Sequence, residues 1–138
     1  MMRWAAILLM ALAAPLTAQV AVVNLNVNEP ALTTERLSGM LLGRVTTWTD
    51  GSAVVLVLVD DRDADAELLR IAGRPRERLV RGWKRLVFSG TGVMPLEAPN
   101  VATALDLVAR TPGAVALMAK APADPRWRVL PIANGTSP

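Results

Sequence analysis

Three groups of residues in this chain have the types and spacing that binding chemistry needs. Ser89-Gly90-Thr91-Gly92 alternates hydroxyls with glycines, so the backbone can turn its N–H groups inward as a nest while two hydroxyls add donors. Arg44 or Arg85 could supply charge to an anion held there. Asp60-Asp61-Arg62-Asp63-Ala64-Asp65 sets carboxylates around one Arg at the start of an expected helix. Carboxylates in that position satisfy the first helical N–H groups themselves and repel an anion, and a solvated acidic cap is the plain structural reading. They also suggest ligands for a hard cation, but the Gly and the closing Glu of a calcium loop are not at the required places, so no metal site is expected. The third group is a basic run, Arg74, Arg76, Arg78, Arg81, Lys84 and Arg85 against a single Glu77. Such a face suits anionic lipid headgroups, an acidic partner or plain solvation.

Catalysis finds little support. The chain has no His and no Cys, so the usual general base and the thiol nucleophile are absent. A Ser or Thr nucleophile would need Lys84 or Lys120 as its base, and nothing in the spacing arranges that. The expectation is a protein that is not an enzyme and carries no cofactor.

Composition narrows the class further. Met1 to Ala18 reads as a secretory signal peptide: Arg3 gives the positive start, Trp4 to Ala14 the apolar run, and Thr17-Ala18 a small-residue exit. That run is shorter than the ~20 apolar residues a membrane-spanning helix needs, so an integral membrane protein is not expected. Without Cys there is neither a lipid-anchoring site nor a disulfide. The expected product is periplasmic, and that compartment argues against nucleic acid as a partner. The balance of 15 basic and 12 acidic residues then points to solubility or attraction to anions.

The elements that must position these groups follow from periodicity. Val20 to Leu25 and Val54 to Val59 are continuous apolar runs, as expected for strands covered on both faces. Asn26, Asn28 and Pro30 mark a loop, Thr33 or Thr34 can cap a helix through Leu37, Met40 and Leu41, and Gly43 stops it. Ala64 to Ile71 predicts a helix, and after Gly73-Arg74-Pro75 a second one carries Leu79, Val80, Trp83, Leu86 and Val87 as its apolar stripe. Ser89 to Pro95 is a loop. Asn100 caps a helix with Val101, Ala104, Leu105 and Val108 on one face, Ala114 to Met118 is a buried strand, and Trp127 to Ile132 an edge strand. Trp48, Trp83 and Trp127 are expected in the core or at its rim. This alternation predicts an α/β fold with a mostly parallel sheet flanked by helices. One domain spans 19–132, and a polar, disordered tail follows at 133–138.

Three blocks in this order carry a resemblance: LSGMLLGRVTTWTDG (Leu37 to Gly51), LVFSGTG (Leu86 to Gly92) and TPGAVALM (Thr111 to Met118). They resemble the periplasmic phosphate-binding proteins of ABC transporters, in which a helix, an FLGK-like step, Trp and Asp-Gly precede a TPGAIGY-like strand. The resemblance covers roughly Val20 to Met118. It implies a periplasmic-binding-protein-like fold, here reduced to a single compact lobe, and a role in binding phosphate or another inorganic oxyanion beside a transporter permease. In that family the end of the strand Val54 to Val59 resembles an Arg followed by a Gly-Ser-Gly-Thr step. Here the stretch reads Asp60-Asp61-Arg62-Asp63-Ala64-Asp65, in which Arg62 could play the Arg role but the Gly-Ser-Gly-Thr step is missing. The candidate ligand residues are therefore Ser89, Gly90, Thr91, Gly92, Arg44 and Arg62. The alternative function is an interaction or structural protein of the cell envelope that keeps the fold without the ligand site.

Overall fold

The computed structural model describes residues 20–133, so the expected signal peptide and the tail beyond Ala133 lie outside the described residues. One six-stranded sheet has the order β2-β6-β1-β5-β3-β4. Its strands are β1 (Val20–Asn24), β2 (Leu32–Thr33), β3 (Val55–Val59), β4 (Leu96–Ala98), β5 (Ala114–Met118) and β6 (Trp127–Ala133). The pairs β3–β4, β3–β5 and β2–β6 are parallel, and β1 runs antiparallel to both β5 and β6. Five strands therefore share one direction and only β1 is reversed, which makes the sheet mixed but mostly parallel, as the alternation predicted. Two short strands, β2 and β4, escaped the sequence reading. The expected edge strand β6 is instead interior, since β2 pairs with its last two residues and β1 with the rest. Ala133, assigned above to the tail, ends that strand.

Four helices cover the sheet, and each starts where a side chain or Pro can end the preceding turn. In α1 (Thr34–Leu41) the Thr33 hydroxyl accepts from the Arg36 N–H at 3.0 Å. In α2 (Arg62–Ala72) the Asp61 carboxylate accepts from the Ala64 N–H at 3.1 Å. In α4 (Val101–Arg110) the Asn100 side chain accepts from Thr103 at 2.8 Å. Each such cap satisfies a backbone donor that the first helical turn leaves free. Pro75 stands at the cap of α3 (Arg76–Phe88) without a side-chain bond.

The two faces of the sheet divide the core by strand alternation. Ala21, Val23, Leu56, Leu58, Val115 and Leu117 pack with Leu37 and Met40 of α1, Leu68 and Ile71 of α2, and Leu79 and Trp83 of α3. Val22, Val57, Ala114, Ala116 and Met118 face the other way, against Ala104, Leu105 and Val108 of α4 and Trp127. Trp48 is buried in the first of these layers. On the expected helix stripes Val87 is exposed and Val80, Leu86 and Val101 are half-buried, while Leu37, Met40, Leu41, Leu79, Trp83, Ala104, Leu105 and Val108 are buried. Val55, the first residue of β3, is only partly so.

Candidate functional site

In an open α/β sheet ligands sit beyond the carboxyl ends of the parallel strands, between helix N-termini. Here that place is a hollow of about 480 Å³ lined by Asp61, Asp63, Val101, Met118, Lys120 and neighbouring residues. Asp61 is held in place as the α2 cap, and Asp60 is anchored by its own N–H to Ala98 O at 2.8 Å. The cation that organises the acidic turn is not Arg62 but Arg76. Its guanidinium reaches Asp60 at 3.0 Å, Asp65 at 3.2 Å and Glu97 at 3.8 Å. Arg62 is exposed and makes no ion pair among the described residues. Two carboxylates and one ammonium line the hollow, so its field does not favour a free anion.

Ser89 to Gly92 lies at the opposite end of the sheet, because α3 carries the chain back antiparallel to β3. Thirteen residues of helix span about 20 Å, so Arg62 and the Ser89 turn cannot grip one ion. The turn is the C-terminal cap of α3. The N–H groups of Ser89, Gly90 and Thr91 donate to the carbonyls of Arg85, Val87 and Leu86 at 2.9–3.0 Å. The Ser89 hydroxyl donates to Leu86 O at 2.9 Å, and the Thr91 hydroxyl reaches the same carbonyl at 3.3 Å. Those three amides are turned toward helix carbonyls, not toward a ligand. Gly43, which precedes Arg44 in the chain, and Gly92 both back onto Trp83 and Leu86, where a Cβ on Gly43 would come within 2.4 Å of Leu86 Cδ1. Beside them runs an apolar cleft of about 310 Å³ lined by Met40, Val45, Thr46, Trp83, Thr91, Met94 and other residues, none of them acidic.

Between α1, β3 and β5 the blocks that carry the resemblance meet as structural joints. Trp48 Nε1 donates to Gly113 O at 3.0 Å and Trp83 Nε1 to Leu41 O at 2.9 Å. Gly113 has φ +79° and a Cβ there would lie 2.3 Å from Ala53 O, so only Gly fits. The Asn26 side chain accepts the Gly113 N–H at 3.0 Å, and buried Asn24 donates to Val108 O at 2.8 Å. The sequence reading passed over Glu29 entirely. It is buried in the loop after β1, accepts from the Thr49 N–H at 3.0 Å and hydroxyl at 2.5 Å, and pairs with Arg36 at 3.1 Å. Burial alone would raise its pKa, but the Thr49 bonds and the Arg36 charge outweigh it and hold the carboxyl below its ordinary range. Arg128 donates to the carbonyls of Val27 and Glu29 and ties down the same loop. The only sequence signal for this cluster was an acid in an otherwise neutral loop, seven residues before an Arg.

No family model matches the sequence, and no curated protein matches it at a significant level. The solved structures that share its fold include two from phosphate transporters. One is a phosphate ABC transporter substrate-binding protein from Clostridium perfringens with bound phosphate, at TM-score 0.65 and 15% identity over 83% of this chain and 44% of that one. The other is an ABC-type phosphate transport receptor from Vibrio cholerae, at TM-score 0.58 and 16% identity over 83% of this chain and 46% of that one. The fold is thus periplasmic-binding-protein-like, and the chain spans less than half the length of these neighbours. Among the described residues no helix is long and apolar enough to cross a membrane, and no cluster of acidic side chains is arranged to hold a metal ion.

Proposed function

We propose that the chain is an exported, solute-binding-type protein that takes an inorganic oxyanion, phosphate first, in association with a transporter permease. The observation that supports this most directly is local: Gly43, next to Arg44 in the chain, and Gly92, next to Thr91, both back onto Trp83 and Leu86, beside a cleft lined by Thr91 and free of carboxylates. Arg offers a planar, permanently charged donor set suited to a phosphate. The Thr91 hydroxyl lies 2.9 Å from the Ser89 hydroxyl and 3.3 Å from Leu86 O, so turning it toward an anion exchanges a neutral hydrogen bond for a stronger one to a charged group. Likeness to phosphate-binding neighbours supports the same ligand class at the level of fold. Calorimetry with phosphate and sulfate at low salt should give saturable heat. Thr91→Val should weaken binding about ten- to hundred-fold, the loss of a hydrogen bond to a charged group worth about 1.5–3 kcal/mol, and Arg44→Gln should weaken it at least as much. Absence of heat at millimolar anion overturns the reading, and loss on Arg62→Gln alone moves the site to the acidic end of the sheet.

A second reading, an envelope interaction protein that keeps the fold without a ligand site, is favoured by one specific observation. The amides of Ser89, Gly90 and Thr91 end on helix carbonyls, which leaves few donors for a small anion. Co-purification from the envelope of a stoichiometric protein partner, with no heat from any oxyanion, is the result that selects it.

A further inference from the structure

The far end of α3 presents a surface that the fold leaves uncovered. Phe88 is 89% exposed and Val93 82% exposed, so both side chains project from the body of the protein. Val87 is exposed beside them. Arg78, Arg81 and Arg85 precede Phe88 at intervals of three, four and three residues, which places them on one helical stripe with Phe88 at its end. Lys84 flanks that stripe. All four cations are exposed, and none forms an ion pair among the described residues.

Two further features decide what kind of partner fits. The turn between Phe88 and Val93 has the N–H groups of Ser89, Gly90 and Thr91 bonded to α3 carbonyls. Those donors therefore do not need water, and the tip can enter a drier medium without stranding them. A shallow hollow of about 400 Å³ is lined by Lys84, Val87, Phe88 and Met94, three apolar side chains with one cation. Projecting apolar tips suit a fluid surface that closes around them, and a line of unpaired cations suits a continuous layer of phosphates more than a single carboxylate.

We propose that this end of α3 docks onto an anionic phospholipid surface, with Phe88 and Val93 entering the acyl boundary and Arg78, Arg81, Lys84 and Arg85 meeting lipid phosphates. The docking stands independently of whether the neighbouring cleft takes a free oxyanion.

The chain has no Cys, so Val93→Cys gives a unique site for an environment-sensitive dye on the full chain. The dye should shift to shorter wavelength, saturably, on vesicles of equimolar phosphatidylglycerol and phosphatidylcholine, and stay unshifted on phosphatidylcholine alone. A dye at Asp63→Cys, at the other end of the sheet, should remain water-like on both. On the Val93→Cys background, Arg81→Glu with Arg85→Glu should lower the lipid affinity at least tenfold, because each basic residue near an anionic surface contributes substantially to partition. Phe88→Ser should lower it severalfold and leave the salt dependence in place. These positions are exposed, so circular dichroism and the thermal midpoint should be unchanged. An unshifted Val93 dye on anionic vesicles, an equal shift on neutral ones, or indifference to the charge reversals overturns the proposal. A saturable shift with polyglutamate but not with vesicles assigns the tip to an acidic protein and overturns it as well.

Discussion

At the carboxyl ends of β3 and β4 most of the acidic turn is neutralised within the chain, whereas at the far end of α3 the cations form no ion pair among the described residues. Arg76 holds Asp60, Asp65 and Glu97 together, and Asp61 is committed to the α2 cap. Arg78, Arg81, Lys84 and Arg85 point outward beside Phe88 and Val93. The contrast teaches that the end a doubly wound sheet usually reserves for its ligand is here self-neutralised. The unpaired cations of α3 stand at the opposite end.

Trp83 gives the strongest way to break that comparison, because it connects the outward end to the core. It is 8% exposed, donates to Leu41 O at 2.9 Å, and forms the wall against which Gly43 and Gly92 rest. Trp83→Ala should cost about 3–5 kcal/mol through lost burial and the cavity left behind, read as a lower denaturant midpoint. It should also abolish the anion heat, since Gly43 and Gly92, the chain neighbours of Arg44 and Thr91, lose their common support. A variant with wild-type stability would show that the outward end is held by something other than this side chain.

Glu29 sharpens the comparison, being a charge at the outward end that is satisfied internally. Its folded pKa lies below its ordinary value of 4.5, with Thr49 and Arg36 overcoming burial. A depressed carboxyl contributes stability that is present above the unfolded pKa and is lost as pH falls through the folded one. The stability difference between wild type and Glu29→Gln should therefore be level above about pH 5 and shrink progressively in more acid solution. At neutral pH the substitution should cost about 1–3 kcal/mol, the usual range for a buried polar group that loses a charged hydrogen bond. A difference independent of pH would mean that the loop after β1 is held by Arg128 alone.

Much of this frame was legible in the sequence, and what was missed has physical reasons. Apolar runs and capping residues located β1, β3, β5 and the four helices to within a residue or two, because burial on both faces and orphan helical N–H groups leave marks in local sequence. Leu96–Ala98 and Leu32–Thr33 left none, since strands of two or three residues exist only through the neighbour they pair with. The same holds for the site. Ser89-Gly90-Thr91-Gly92 has the composition of a nest, yet its amides serve α3 because the turn directly follows a helix whose last carbonyls need donors. The candidate cations Arg44 and Arg62 are eighteen positions apart in sequence, and strand β3 between them carries the chain from one end of the sheet to the other. Arg76 was read as one of a basic run, and its three carboxylates come from β4, α2 and the turn before it.

The smallest expected effect separates two arginines at the acidic end. Arg76 is 20% exposed at its side chain, while its partner Asp60 is 64% exposed, so solvent screens much of each pair. Arg76→Gln leaves Asp60, Asp65 and Glu97 facing one another, and as a network its loss should cost about 0.5–1 kcal/mol at low salt. Most of that should vanish in about 1 M salt, where the Debye length falls to about 3 Å. Arg62, on the first turn of α2 and without an ion pair among the described residues, should tolerate Gln within about 0.5 kcal/mol at any salt. Chemical denaturation with urea, which adds no charge of its own, resolves the two variants across the salt series. Equal, salt-dependent losses would mean that Arg62 neutralises the acidic turn as much as Arg76 does. The self-neutralised end would then rest on a diffuse field, and the two ends of the sheet would differ less than their contacts indicate.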